Sequence, residues 1–178
     1  MNHLATSKED ILAASRDLIK ENGWAAVSIR AVASRCSVSA GTIYNYYESK
    51  ADLLSDTIES IWHEIFFHPE DEQVFHDVES CISWIYERLE YGNRQFPGFF
   101  SLHSFGFMRD EKTSGKKRMM KTWGHILNGL CEVLENDPKV RADVFDQEFT
   151  EKKFADILFS LILVSMIRQD YDPSSVLM

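Results

Sequence analysis

At 178 residues the chain is long enough to build a core without disulfide staples. Apolar types make up 44% and charged types 26%, as in an ordinary globular chain, and a content of only 8 Gly and 4 Pro excludes collagen, low-complexity linkers and turn-rich all-β designs. The net charge of −9 argues against a chain that coats nucleic acid without specificity, but it leaves room for a small local reading surface.

In chain order, Thr6-Ser7-Lys8-Glu9 reads as a capping box, a hydroxyl followed three residues later by a carboxylate. Ile11, Leu12, Ala14, Ser15, Leu18 and Ile19 follow at helical spacing until Asn22-Gly23 stops them, which predicts a helix over 8–21. Ser28 caps a short second helix that turns Ile29, Val32, Ala33 and Cys36 inward and ends near Arg35. After the tight turn at Ser37-Val38, Ser39 caps a third helix from Ala40 to about Tyr47, with Ile43 and Tyr47 inward. Ser49-Lys50-Ala51-Asp52 is a second capping box, and it opens a helix that carries Leu53, Leu54, Ile58, Ile61, Trp62 and Ile65.

Beyond the acidic break His68-Pro69-Glu70-Asp71-Glu72, a helical period returns from Val74 to about Gln95 and ends at Pro97-Gly98. Phe96 to Met108 is rich in Phe and lacks a clean period, and Arg109 to Lys117 reads as a loop or a helix start. Met119 to Leu134 is helical, Asn136-Asp137-Pro138 end it, and a final helix is expected from about Glu148 to Arg168. No repeat and no sustained strand alternation is visible, so the chain reads as all-α with eight or so helices. The most apolar stretch, Phe154 to Ile167, contains Asp156, Ser160 and Ser165 and falls short of the ~20 residues a membrane span needs. Met1 to Asp10 has no apolar run behind a basic start. A cytoplasmic chain with no membrane partner is therefore expected.

Three short helices, with a three- to four-residue turn between the second and third, are a helix-turn-helix arrangement. A recognition helix has to expose small and polar side chains at its N-terminus, because that end enters the major groove. Ser39-Ala40-Gly41-Thr42 meets this requirement: small residues let the backbone approach, capping N–H groups bind phosphate, and Thr42 reaches a base edge or a thymine methyl. Tyr44 and Asn45 offer donors one turn along, and Arg30 and Lys50 supply flanking cations. Local charge agrees, with Arg30, Arg35 and Lys50 against Glu48 between Ser28 and Lys50, whereas 13 cations face 23 anions from Ala51 onward.

At these residues a resemblance is plain. Ser28-Ile29-Arg30-Ala31-Val32-Ala33, Val38-Ser39-Ala40-Gly41-Thr42-Ile43-Tyr44-Asn45-Tyr46-Tyr47 and Ser49-Lys50-Ala51-Asp52-Leu53-Leu54 together resemble the N-terminal domain of the tetracycline-repressor (TetR) family, over about residues 7–56. The resemblance implies a DNA-binding domain over 1–50 and a helical ligand-binding and dimerisation domain over 51–178. It also implies a non-enzymatic regulator, usually a repressor, that a small-molecule effector releases from a pseudo-palindromic operator. By the same resemblance Tyr44 and Lys50 hold phosphates, Arg30 reaches a base or phosphate, Ala40, Gly41 and Thr42 face the groove, and Tyr46 lies at its edge; Ser28, Ser39 and Asn45 complete the expected DNA-binding set. Ser37 stands where the family usually has Gly and costs roughly 1 kcal/mol if that site is left-handed. Tyr47 replaces the usual Phe.

No Gly-rich phosphate loop, nucleophile elbow or His-Glu-x-x-His pattern is present, and no metal or cofactor is expected. Cys36, Cys81 and Cys131 lack zinc spacing and read as reduced thiols. The aromatic run Phe96 to Met108 fits either core filling or the wall of an apolar ligand cavity, for which Trp84, Phe100, His103, Phe107, Met120 and Trp123 are the candidates. The final helix is apolar on more than one face, so one face needs a partner. A homodimer interface is expected at Leu158, Leu161, Ile162 and Ser165, joined by Trp123, Leu127 and Leu130 of the preceding helix. The alternative from another class is a small all-α enzyme or ligand-binding protein without sequence-specific DNA binding; the lack of an assembled catalytic set weighs against it.

Overall fold

The computed structural model describes residues 6–66, 75, 77–100, 114–141 and 143–177. Every regular element among them is helical. The α-helices are α1 (Lys8–Asn22), α2 (Ile29–Arg35), α3 (Ala40–Tyr44), α4 (Lys50–Phe66), α5 (Val78–Gln95), α6 (Ser114–Asn136) and α7 (Glu151–Arg168), and two 3-10 turns lie at Trp24–Ala26 and Pro173–Ser175. None of the helices is long and apolar enough to cross a membrane.

Local hydrogen bonding sets the ends, and it moves several of the expected ones. The first cap is Ser7, not Thr6: Asp10 N–H donates to Ser7 Oγ at 3.1 Å, and Ser7 N–H donates back to the Asp10 carboxylate at 2.8 Å. The Ser7 hydroxyl, which donates to the same carboxylate at 2.7 Å, and then the Ser7 N–H hold the Asp10 carboxyl below the usual range. The helix expected to reach Tyr47 ends at Tyr44, although Tyr47 N–H still donates to Ile43 C=O at 3.1 Å and both side chains are buried. α6 begins at Ser114 rather than Met119. α7 begins at Glu151 rather than Glu148, because Asp146 Oδ1 accepts from Glu148 and Phe149 N–H and holds them in a turn, leaving Thr150 as the cap.

The chain divides into two compact units, Met1–Phe67 with Gly92–Arg118, and His68–Tyr91 with Met119–Met178. In the first, Ile11 and Ile19 of α1, Val32 of α2, Ile43 of α3 and Leu53 and Ile61 of α4 are buried. Each such side chain contributes roughly 1.5–3 kcal/mol. Trp62 of α4 lies 5.6–5.7 Å from the rings of Phe66, Phe99 and Phe100, and Trp24 lies 5.9 Å from Phe99. A Cβ on Gly92 would sit 2.6 Å from Ile65 Cδ1, so a residue without one lets the last turn of α5 lie this close to α4. Lys20 and Arg16 both reach Glu64, at 2.6 and 3.2 Å, fixing α4 against α1 more than stabilising the unit.

The second unit is built from the first turns of α5, most of α6, and α7. Ile82, Ile85 and Leu89 of α5 are buried, as are Leu130 and Leu134 of α6 and Leu158, Phe159, Ile162 and Met166 of α7. Tyr86 Oη and Ser165 Oγ are hydrogen-bonded at 2.8 Å, which satisfies two polar groups inside this core. Asp77 caps α5, accepting from Ser80 N–H at 2.7 Å, and also takes Lys139 Nζ at 3.1 Å. These contacts, the backbone bond to Ser80 first, pull the Asp77 carboxyl down to about 2.

Candidate nucleic-acid interface

α2 and α3 are joined by a turn whose geometry comes from Ser37. Val38 N–H donates to Ala33 C=O at 2.9 Å and Ser37 N–H to Ser34 C=O at 3.1 Å, the pair of bonds of a Schellman ending. Ser37 sits at φ 56°, in the left-handed region. This closure aims α3 away from the α2 axis, and only Ile43 of α3 is buried.

What α3 leaves outside is a short polar face. Ser39 Oγ accepts from Thr42 N–H at 3.1 Å and lies 3.0 Å from Thr42 Oγ1, which orients the threonine hydroxyl at the head of the helix. A Cβ on Gly41 would meet nothing closer than Ser39 Oγ at 3.5 Å. Packing within the protomer therefore does not call for glycine there, but close approach by another backbone does. Tyr44 is 54% exposed, Asn45 is exposed and Ala40 is half-buried. Ser28 spends its hydroxyl on capping α2, accepting from Ala31 N–H at 3.1 Å. Tyr46 is half-buried and donates to Thr6 C=O at 2.6 Å, so its hydroxyl is tied to the segment before α1.

The three cations of this region differ in use. Arg35 turns back to α1, with Nη1 2.6 Å from Glu21 Oε2 and Nη2 3.7 Å from Asp17. Hydrogen bonding to Arg35 lowers the Glu21 carboxyl. Arg30 and Lys50 are exposed and make no ion pair among the described residues. Two of the three cations counted in the sequence are thus available to an incoming anion.

The other expected residues are divided between the two units. Phe100 is buried beside Trp62 and Phe99 in the first unit. In the second, half-buried Trp84 lies 5.2 Å from Phe75, and Trp123 lies 5.5 Å from Phe159 with its buried Nε1 lacking a hydrogen-bond partner among the described residues. His103, Phe107 and the Met120 side chain lie outside the described residues. Of the expected interface residues, Leu130, Leu158, Ile162 and Ser165 are buried within the protomer, Trp123 and Leu127 are half-buried, and Leu161 is exposed. Ile157, Val164 and Ile167 are exposed alongside Leu161. Sequence period marked all of α7 as apolar and could not separate these two faces.

Residues 11–57 match the sequence model of the bacterial regulatory proteins of the tetR family. The HTH-type transcriptional regulator UidR of Escherichia coli strain K12 is 38% identical over 48 residues, which is 27% of this chain and 24% of that protein. The fold extends the likeness over nearly the whole chain. The transcriptional regulator FadR from Bacillus subtilis, solved in complex with stearoyl-CoA, superposes with a TM-score of 0.64 at 17% identity, covering 96% of this chain and 93% of that one. A transcriptional regulator from Rhodococcus sp. Rha1 superposes with a TM-score of 0.67 at 18% identity, over 96% and 87% of the two chains.

Proposed function

We propose, from the match of residues 11–57 to the sequence model of the tetR family, that the protein is a DNA-binding transcriptional repressor that a small-molecule effector releases from a pseudo-palindromic operator. Residues 1–50 read DNA, and residues 51–178 bind the effector and hold a homodimer together. The observation that carries this reading is the outer face of α3: a large aromatic, Tyr44, stands 54% exposed beside the open backbone of Gly41 and the capped hydroxyl of Thr42. Tyr44 and Lys50 are assigned to phosphates, Thr42 to a base edge, and Arg30 to a base or phosphate.

A single reading head makes too few contacts for tight specific binding. Two heads must bind half-sites about one DNA turn apart, roughly 34–36 Å. The exposed apolar face of α7 supports a second copy as the source of the other head. FadR from Bacillus subtilis was solved with stearoyl-CoA, which supports a small-molecule effector for the helical part here. DNA as target places the protein in the cytoplasm.

A fluorescence titration against DNA upstream of its own coding region tests the reading. Wild type binds specifically, with an affinity that falls as salt rises. Tyr44→Phe and Lys50→Ala each weaken binding across sequences while the fold stays intact, and Lys50→Ala lowers the salt slope by about one. Thr42→Ala changes preference at one base pair by about 1–3 kcal/mol. Equal affinity of wild type and the two phosphate-contact variants would remove the assignment.

A further inference from the structure

The exposed face of α7 is complementary to itself. Counted outward from Ile162 in both directions, Leu161 matches Leu163, Ser160 matches Val164, Ile157 matches Ile167, and Asp156 matches Arg168. All of these are exposed except Leu163, which is half-buried. The inner positions of the stripe are apolar or small; the two outer ones are opposite charges. Neither Asp156 nor Arg168 has an ion-pair partner among the described residues. Among the described residues no ion pair accounts for the carboxylate at one end of the stripe or the guanidinium at the other, although Arg168 also lies in the last turn of α7, which favours a cation.

We propose that α7 pairs antiparallel with α7 of a second copy, in register at Ile162, with Asp156 of each protomer facing Arg168 of its partner. The inference rests on the homodimer of the preceding section and adds its orientation and register. Asp156 and Arg168 lie about 18 Å apart along the helix at 1.5 Å per residue, so two ion pairs bracket one apolar stripe. In this arrangement Ile157 meets Ile167 twice. Ser160 sits opposite Val164, small against branched, which lets the two helix backbones come close. Parallel pairing would set Asp156 on Asp156 and Arg168 on Arg168, two like-charge contacts, so charge selects the antiparallel orientation. A two-fold axis at Ile162 uses every contact twice, as an isologous interface requires. At the exposed rim the ion pairs act on register and orientation more than on total affinity.

Charge reversal tests the pairing in the full-length protein. Arg168→Asp and Asp156→Arg each replace two attractions with two repulsions, and each raises the dimer dissociation constant about tenfold or more at low salt, as read by analytical ultracentrifugation. The double variant restores the attractions and returns to within about threefold of wild type. Circular dichroism checks that these exposed variants keep their helices. As a second readout, oxidising a mixture of Ile157→Cys and Ile167→Cys proteins yields a mixed disulfide dimer that neither variant forms alone. Single variants that dimerise like wild type, or a double variant that stays dissociated, overturn the register and leave the dimer standing. A monomeric wild type at micromolar concentration overturns the dimer, and the pairing with it.

Discussion

Ser37 shows how one backbone angle limits a recognition motif. The Schellman ending of α2 requires a left-handed residue, and a side chain at φ 56° crowds its own carbonyl. The departure from glycine was legible in the sequence as a cost conditional on geometry, and the structure supplies the geometry. Ser37→Gly is expected to raise stability by up to about 1 kcal/mol, the relief being partly offset by glycine's larger freedom when unfolded. Urea unfolding checks it, and an unchanged midpoint would mean that the turn carries no strain. Gln169 closes α7 in the same way at φ 55°, and there no sequence cue stood out, since a glutamine after an apolar helix carries no turn signature. The expected cap at Thr6 fails for a related reason. Two adjacent hydroxyls, each followed three residues later by a carboxylate, are indistinguishable until Ser7 and Asp10 are seen to exchange their hydrogen bonds.

Helices with a single inward stripe were the most legible elements. Ser49 caps α4, with Asp52 N–H donating to Ser49 Oγ at 3.2 Å and the Ser49 hydroxyl donating to the Asp52 carboxylate at 2.8 Å, and of the inward positions that the spacing indicates, Leu53, Leu54, Ile61, Trp62 and Ile65 are buried and Ile58 is half-buried. The stretch after Gln95 resisted reading because Phe96, Phe99 and Phe100 are buried through a turn with Gly98 at φ 77°, where no helical period exists to detect. α5 was read from Val74 and starts at Val78, since Asp77, whose side chain caps it, lies between. That cap makes α5 sensitive to acid. The folded Asp77 carboxyl titrates near 2 against an ordinary 3.8, so the stability it contributes is fully present above about pH 4 and is lost as pH falls toward 2. Asp77→Asn is expected to lower stability near neutrality and to flatten this part of the acid limb. Unfolding curves at pH 7, 4 and 2.5 check it, and parallel limbs for wild type and variant would show that another group sets the slope.

For the molecule as a whole, the alkaline side of the pH profile follows from burial. Desolvation pushes the Cys81 thiol up to about 11 from 9.0 and Tyr171 up to about 12 from 10.0. The unfolded chain releases these protons first, so their contribution to stability is complete below pH 9 and is lost as pH rises through 9 to 12. Thermal midpoints should hold level from pH 7 to 9 and then fall, and Cys81 should be the last thiol to react with an aromatic disulfide in native protein. Rapid labelling of Cys81 at pH 8 would contradict its burial. Helix order and the helix-turn-helix segment were legible at this scale because each rests on local pattern, whereas the inner and outer faces of α7 are fixed only by what packs against it. Charge distribution has a consequence for search. With Arg35 engaged by Glu21 and Asp17, few cations remain free near α3, and 23 anions against 13 cations follow Lys50. On the proposed function, attraction to arbitrary duplex would then be weak, so the protein would be held only briefly by the vast excess of wrong sequence in a genome, and a small number of copies would suffice to keep a correct site occupied.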